Sequence, residues 1–281
     1  MNLGILHPGA MGVTVATAAG AGVSWASTGR STATHERAET AGMTDRGDLP
    51  GLVASCDVII SVCPPHAAGD VARDVAAAGF AGVYVDANAI APATARAIAD
   101  TVAAAGARFV DGGIIGPPAV RPGTTRLFLA GEDAPAVAAV FTGGPLEAIV
   151  LGGPPGSASA LKMAYAAYTK GSAALVAAIR ALAAAEGIEA PMLDEWERSV
   201  PGLAGRSERI LGATPRKAWR FAGEMHEIAA TFAAAGLPSG FHEAAAEIYH
   251  RLAGYKDDPA PDPDAVIGSL LRSETKPESP R

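Results

Sequence analysis

The chain has 281 residues, 49% hydrophobic and 18% charged, a balance that belongs to folded globular proteins and excludes disorder over most of its length. That length suits two domains, each large enough to bury a core. Net charge is −7 with no compensating Lys/Arg cluster, so nucleic acid is not an expected partner.

Residues 3–6 already read as a strand, with no basic or long apolar leader before them, and no apolar run reaches the roughly 20 residues of a membrane helix. A cytoplasmic protein without membrane association is therefore expected. Further strands are predicted over residues 22–26, 58–62, 83–86, 108–111, 126–130 and 147–151, alternating with Ala-rich helices over 11–21, 67–78, 92–105 and 134–141. This alternation implies βαβ units, and hence a doubly wound, mainly parallel α/β domain over residues 1–153. Cys56 and Cys63 lie in or beside one of these strands and are expected as reduced, buried thiols, since no Cys/His cluster of metal type accompanies them.

The Gly/Pro run at 152–156 ends the strand pattern. Residues 157–186 contain no Pro and few charges, which predicts one long helix, about 45 Å at 1.5 Å per residue, buried around most of its circumference. A homodimer through these helices is the natural consequence. Helices are also expected over 192–199, 215–235 and 239–253, giving an all-α domain over 154–254. A Pro-rich and charged tail, expected to be flexible, follows over 255–281, with a short docked helix at 265–271 as an alternative for part of it.

The first strand runs into His7, Pro8, Gly9, Ala10, Met11 and Gly12, immediately before a helix. A tight turn of small residues there brings backbone N–H groups and the positive end of a helix dipole to a pyrophosphate, the arrangement of a Rossmann dinucleotide site. Only two glycines of the G-x-G-x-x-G fingerprint are present, because His7 occupies the first glycine position. After the second strand, where NAD-selective sites carry a carboxylate, the chain has Thr28, Arg30 and Ser31 and no acidic residue before Glu36. Arg30 can pair with a 2′-phosphate while Thr28 and Ser31 donate hydrogen bonds, so the expected cofactor is NADPH. His7 and His66, at the ends of cofactor-facing strands, are expected to touch the dinucleotide.

Several segments together resemble the 3-hydroxyacid dehydrogenase family, which includes 3-hydroxyisobutyrate and 6-phosphogluconate dehydrogenases and is related to the imine reductases. Gly9-Ala10-Met11-Gly12 is similar to its G-x-M-G turn. Residues 57–62, with Val62 followed by Cys63, Pro64 and Pro65, resemble the strand and loop that cover the nicotinamide. Residues 86–92 resemble D-x-S-x-x-x-P, with Asn88 at the serine position. Residues 111–117 resemble the substrate loop D-A-P-V-S-G-G, and 156–162 resemble G-x-x-x-x-x-K at the head of the interdomain helix. The resemblance implies that Lys162 is the catalytic residue and that Asn88, Gly113, Ile114, Ile115 and Gly116 line the substrate. Ile115 stands where the family has Ser, and Ala166 where an Asn usually follows the lysine by four residues. Both changes remove polar groups that would orient a carboxylate or the amine. No basic cluster for a sugar phosphate is present, so a 6-phosphogluconate dehydrogenase is not expected.

A lysine amine in a partly desolvated cleft can act as acid and base beside a hydride acceptor. Ser159, Lys162, Tyr165, Ala166 and Thr169 share a helix face, and Tyr165 is a second candidate to contact substrate. Lys170 is expected to meet solvent or a partner subunit, and His242 to lie in the first turn of a helix capped by Ser239. Glu224, His226 and Glu227 are spaced poorly for one ion, and no metal is expected. The composite expectation is NADPH-dependent reduction of the C=O of a small-molecule substrate. Imine reduction is the enzymatic alternative, and a non-catalytic NADPH-binding sensor or regulatory protein the alternative from another class.

Overall fold

The computed structural model describes residues 1–20 and 22–272. Two compact units divide within one long helix, the first ending at Ala164 and the second beginning at Tyr165.

The first unit is built on an eight-stranded sheet of order β3-β2-β1-β4-β5-β6-β7-β8. The strands are β1 (Leu3–Ile5), β2 (Ser24–Trp25), β3 (Thr44–Asp45), β4 (Val58–Ser61), β5 (Val83–Asp86), β6 (Arg108–Ile115), β7 (Thr125–Ala130) and β8 (Leu146–Val150). All neighbours are parallel except β6 and β7. The helices between them are α1 (Gly12–Ala19), α2 (Thr32–Thr40), α3 (Leu49–Ser55), α4 (Ala68–Ala77), α5 (Pro92–Ala104) and α6 (Ala134–Ala139).

Central strands are mainly apolar because both faces are covered, with Ser61 and Asp86 at the carboxyl ends of β4 and β5. Successive residues therefore enter two different cores: Val58 and Ile60 of β4 and Val83 and Val85 of β5 join one, while Ile59 and Tyr84 join the other. Complete burial of side chains such as Ile60 or Ile59 stabilises the fold by about 1.5–3 kcal/mol each. Besides the helix over Leu203–Ala213 in the second unit, three elements of this sheet unit were not expected from the sequence. These are α2, which is mostly polar and β-branched, the short α3, which starts at the Asp48 cap with Pro at its head, and β3, whose two residues are exposed. None presents the apolar periodicity that marks a buried element.

The strand predicted over 108–111 continues to Ile115. Gly113, Ile114 and Ile115 pair antiparallel with Phe128, Leu127 and Arg126, so most of the expected substrate loop is strand. The reason is tertiary: β7 supplies a ladder partner for residues whose glycines disfavour a strand on their own.

The long helix α7 (Ser157–Ala185) starts where the Gly/Pro run ends. The sheet closes before residue 153, the boundary expected from punctuation, but the first two turns of α7 pack with the sheet, so the compact division falls inside the helix. The second unit continues through α8 (Glu189–Ser199), α9 (Leu203–Ala213), α10 (Pro215–Ala234), α11 (Gly240–Arg251) and α12 (Pro263–Leu271). Within it Arg180, 4% exposed, is neutralised by Glu189 and Glu208 and donates to the Ser207 hydroxyl. A buried guanidinium stays charged, so partners of this kind are what offset its loss of hydration.

Part of the tail expected from residue 255 takes the alternative of a short helix, over Pro263–Leu271. Asp262 accepts from the Ala265 N–H to cap α12, and Val266, Ile267 and Leu270 are buried. An i, i+1, i+4 apolar spacing gives that short helix a face to bury. Residues 273–281 of the expected tail lie outside the described residues.

Candidate active site

The chain leaves β1 at the point where strand order reverses, with β2 on one side and β4 on the other. Ligands of open α/β sheets bind outside the carboxyl ends of strands at such a switch point. Residues 7–11 form the turn there, and α1 begins at Gly12 with no side-chain cap and no acidic residue in its first turn. The Val13 and Thr14 N–H groups donate to the Gly9 and Met11 carbonyls of the turn itself, and this end of α1 carries the positive end of the dipole. Gly12 is required by close approach, since a Cβ there would stand 2.1 Å from the His7 carbonyl oxygen, whereas Gly9 faces open space. The turn can therefore admit a pyrophosphate.

Beside it, a cavity of about 210 Å³ is lined by His7, Thr28, Arg30 and Asp74 among apolar residues. His7 Nδ1 and Arg30 Nε are both buried without a hydrogen-bond partner. Burial, and secondarily the Arg30 charge, lower the His7 pKa to about 4, so the imidazole is neutral at pH 7. Two unsatisfied polar atoms beside a cavity are what a polar ligand would complete, and the residues present fit a dinucleotide. Thr28 donates its hydroxyl to the Gly47 carbonyl, and Ser31 Oγ pairs with Thr34 Oγ1. Arg37 was missed in the sequence reading. From α2 it donates to the Pro8 carbonyl at 3.2 Å and to Thr34 Oγ1 at 2.9 Å, bracing the glycine turn from a polar helix that gave no periodic signal.

Val62, Cys63 and Pro64 follow β4, and exposed His66 lies in a 3₁₀ turn at Pro65–Ala67. Asn88 holds this segment. Its Oδ1 accepts from the Cys63 N–H at 2.6 Å, while Nδ2 donates to Ser61 Oγ and Asp86 Oδ2. With 3% exposure and both amide donors engaged, Asn88 positions the loop expected over the nicotinamide. Burial pushes the Cys63 thiol up to about 11, which leaves it unreactive near neutral pH. Burial also pushes Asp86 up to about 7, against hydrogen bonds from Asn88 and with a further rise from Asp111.

Asp111, directly across from Asp86 in the β5–β6 register, is buried at the end of the α7 axis. It accepts from the Ala158 and Ser159 N–H groups at 2.7 and 3.0 Å and from Ser159 Oγ at 2.6 Å. A carboxylate at an N-terminus neutralises the dipole and satisfies the first donors. One turn on, Lys162 Nζ donates to the Ile114 carbonyl at 2.5 Å. Gly113 permits this approach, because a Cβ there would lie 2.8 Å from the Ala158 carbonyl oxygen and 3.1 Å from Lys162 Cβ. Ile114 is three residues beyond Asp111, past the carboxyl ends of β4 and β5. The amine thus sits at the edge of the sheet that carries the glycine turn.

The expected apolar substrate wall changes in detail. Ile114 and Ile115 are 5% and 4% exposed, Ile114 as part of the sheet core, and exposed Gly116 begins the loop to β7. Tyr165, 49% exposed, follows Lys162 by three residues along α7. In the second unit Lys170 does not run to solvent but pairs with Glu224 at 2.5 Å. His242 is buried between Phe232 and Phe241, and burial lowers its pKa. Ser239 precedes that helix without capping it through its side chain, its hydroxyl donating instead to Glu243.

This doubly wound sheet followed by a helical region has the fold of the 3-hydroxyacid dehydrogenases. The chain is 29% identical to conserved protein MTH1747, a protein of unknown function described as structurally similar to that family, over 90% of this chain and 97% of the other (TM-score 0.67). It shares the fold of Mycobacterium tuberculosis 3-hydroxyisobutyrate dehydrogenase, solved with L-serine, at 20% identity, covering 96% and 99% (TM-score 0.71). The reductive aminase of Aspergillus terreus, solved with NADPH and ethyl levulinate, matches at 20% identity over 95% and 98% (TM-score 0.58). Residues 183–252 match the family model for a domain of unknown function, DUF1932. An uncharacterized 28.5 kDa protein of Methanothermus fervidus is 31% identical over 172 residues, 61% of this chain. The chain spans 65% of the length of that curated relative. The structural neighbours are thus those that the sequence resemblance implied.

Proposed function

We propose that this protein is an oxidoreductase that reduces the C=O of a small substrate with NADPH. The observation that carries this reading is the Lys162 amine, held by the Ile114 carbonyl at the sheet edge where the glycine turn and the uncapped start of α1 lie. NADPH would lie along the turn, with its 2′-phosphate toward Arg30, and supplies the hydride when bound. Lys162 donates the proton to the substrate oxygen as charge develops there and is reprotonated from solvent. The Ile114 carbonyl orients the ammonium, and Asp111 fixes the helix that carries it. Asn88 keeps the Cys63 segment in place. Arg30 rather than a carboxylate beside the ribose favours NADPH over NADH.

Imine reduction is the second reading, favoured by Ile115 at the position of the family's serine, which leaves no hydroxyl there to anchor a substrate carboxylate. The test is NADPH oxidation across ketoacids, aldehydes, ketones and cyclic imines, with cofactor binding followed by fluorescence. Turnover of carbonyl compounds supports the first reading; turnover of imines alone supports the second. Tight NADPH binding with no turnover of any class removes both.

The same reading includes a homodimer through α7. Tyr168, Leu175 and Leu182 recur at seven-residue spacing along it and are 67%, 46% and 59% exposed, an apolar stripe suited to a partner helix. Light scattering on the purified protein tests this. A cytoplasmic location accords with the two unpaired cysteines.

A further inference from the structure

We infer that Thr14 is a positioning residue that ties the loop after β6 to the first turn of α1, so that the substrate side of the site is registered on the cofactor side. The inference rests on the proposed placement of NADPH at the glycine turn and of substrate near residues 113–116. Thr14 lies in the first turn of α1, and its hydroxyl donates to the Met11 carbonyl at 2.9 Å. The same oxygen accepts from the Ala119 N–H at 3.0 Å, a contact between residues far apart in the chain.

Ala119 is 3% exposed and packs in the same core as α1, with exposed Val120 beside it. The loop has other internal ties, since Thr125 Oγ1 donates to the Pro117 carbonyl, Thr124 Oγ1 to the Arg121 carbonyl, and the Val120 N–H to the Pro118 carbonyl. Those bonds stiffen the loop against itself and against β7. The Thr14 bond joins it to the helix at the dinucleotide turn. A buried N–H cannot give up its acceptor without cost, so the Ala119 segment must follow the first turn of α1.

The test is hydrogen exchange on the full chain, wild type and Thr14→Val, with and without NADPH, together with kinetics on the best substrate from the screen. Valine keeps the shape and removes the acceptor. Without ligand, exchange at the amides of the 117–124 loop (Ala119, Val120, Arg121, Gly123 and Thr124, the prolines having none) is expected to rise about tenfold in Thr14→Val, the loss of one net hydrogen bond. NADPH is expected to slow exchange at residues 7–13 in both proteins, but at 117–124 only in the wild type. Substrate KM then rises several-fold while the NADPH Kd stays within about twofold, and Thr14→Ser restores both loop protection and KM.

Unchanged exchange at 117–124 in ligand-free Thr14→Val overturns the tether. Equal losses in NADPH affinity and substrate KM overturn the positioning role, because Thr14 would then belong to the cofactor cradle. Protection by NADPH at 7–13 without any at 117–124 in the wild type overturns the coupling alone. Protection at neither segment overturns the cofactor reading and the coupling with it.

Discussion

Lys162 Nζ lies 2.5 Å from the carbonyl oxygen of Ile114, so the backbone of β6 sets the position of the amine. Replacing Lys162 by alanine removes the proposed proton donor but leaves the glycine turn and Arg30 intact. The turnover number is expected to fall by about 10²–10⁴, with the NADPH Kd unchanged by fluorescence titration. A variant that retains wild-type turnover would remove Lys162 from the chemistry.

Gly113 sets how closely α7 meets β6. An alanine Cβ there would stand 2.8 Å from the Ala158 carbonyl oxygen, a backbone atom that can retreat only if the helix does. Gly113→Ala is therefore expected to displace Lys162, cost about 1–3 kcal/mol of stability, and lower turnover with little change in NADPH affinity. Urea unfolding and single-turnover kinetics measure the two effects separately.

Asp111 accepts three hydrogen bonds at the start of α7. Its asparagine variant keeps an acceptor for the two N–H groups, and its amide can donate to Ser159 Oγ. Asp111→Asn should lose only the charge–dipole contribution, about 1 kcal/mol. Asp111→Ala strands three buried donors and should cost about 3 kcal/mol or more. Equal denaturation midpoints for the two variants would refute this account of the cap.

Arg30 borders the cavity beside His7 and has an unsatisfied Nε. A charge-assisted contact to a 2′-phosphate contributes about 1.5–3 kcal/mol, or roughly 10–100-fold in affinity. Arg30→Ala should raise the KM for NADPH by that factor and leave the KM for NADH nearly unchanged. Equal increases for both cofactors would place Arg30 away from the phosphate.

His7 has its folded pKa lowered from 6.5 to about 4, by burial first and Arg30 second. The unfolded chain then binds a proton that the folded chain refuses. Its contribution is complete above pH 6.5 and is lost as pH falls from there toward about 4. Relative to His7→Asn, the wild type should lose about 1–2 kcal/mol between pH 7.5 and pH 5. Asp86, raised to about 7 chiefly by burial, acts in the opposite sense, its folded form favouring the proton, so stability falls as pH rises through about 4–7. Comparing the two proteins at each pH cancels that common background, and guanidinium unfolding at both values is the measurement.

The order of strands and helices, the glycine turn, the long helix and Lys162 near its head were all legible in the chain, because each rests on local periodicity or on adjacent residues. Less legible were α2 and β3, which have no apolar face, and Arg37, whose value comes from reaching a turn distant in sequence. Asn88 carries a second role that its position in the sequence does not announce. Its amide links Ser61, Cys63 and Asp86, a choice visible only once β4 and β5 lie side by side.

By itself, the amino-acid order determined the alternating α/β pattern, the helical second half and the residue types available for chemistry, since backbone propensity and hydrophobic spacing act over a few residues. Only the tertiary structure decided that β6 runs on through Ile115, that Lys170 pairs with Glu224, and that Lys162 rests on Ile114. Those outcomes depend on contacts between distant segments, where close approach at Gly113 and the unfavourable burial of unpaired polar groups select one arrangement from many that local pattern allows.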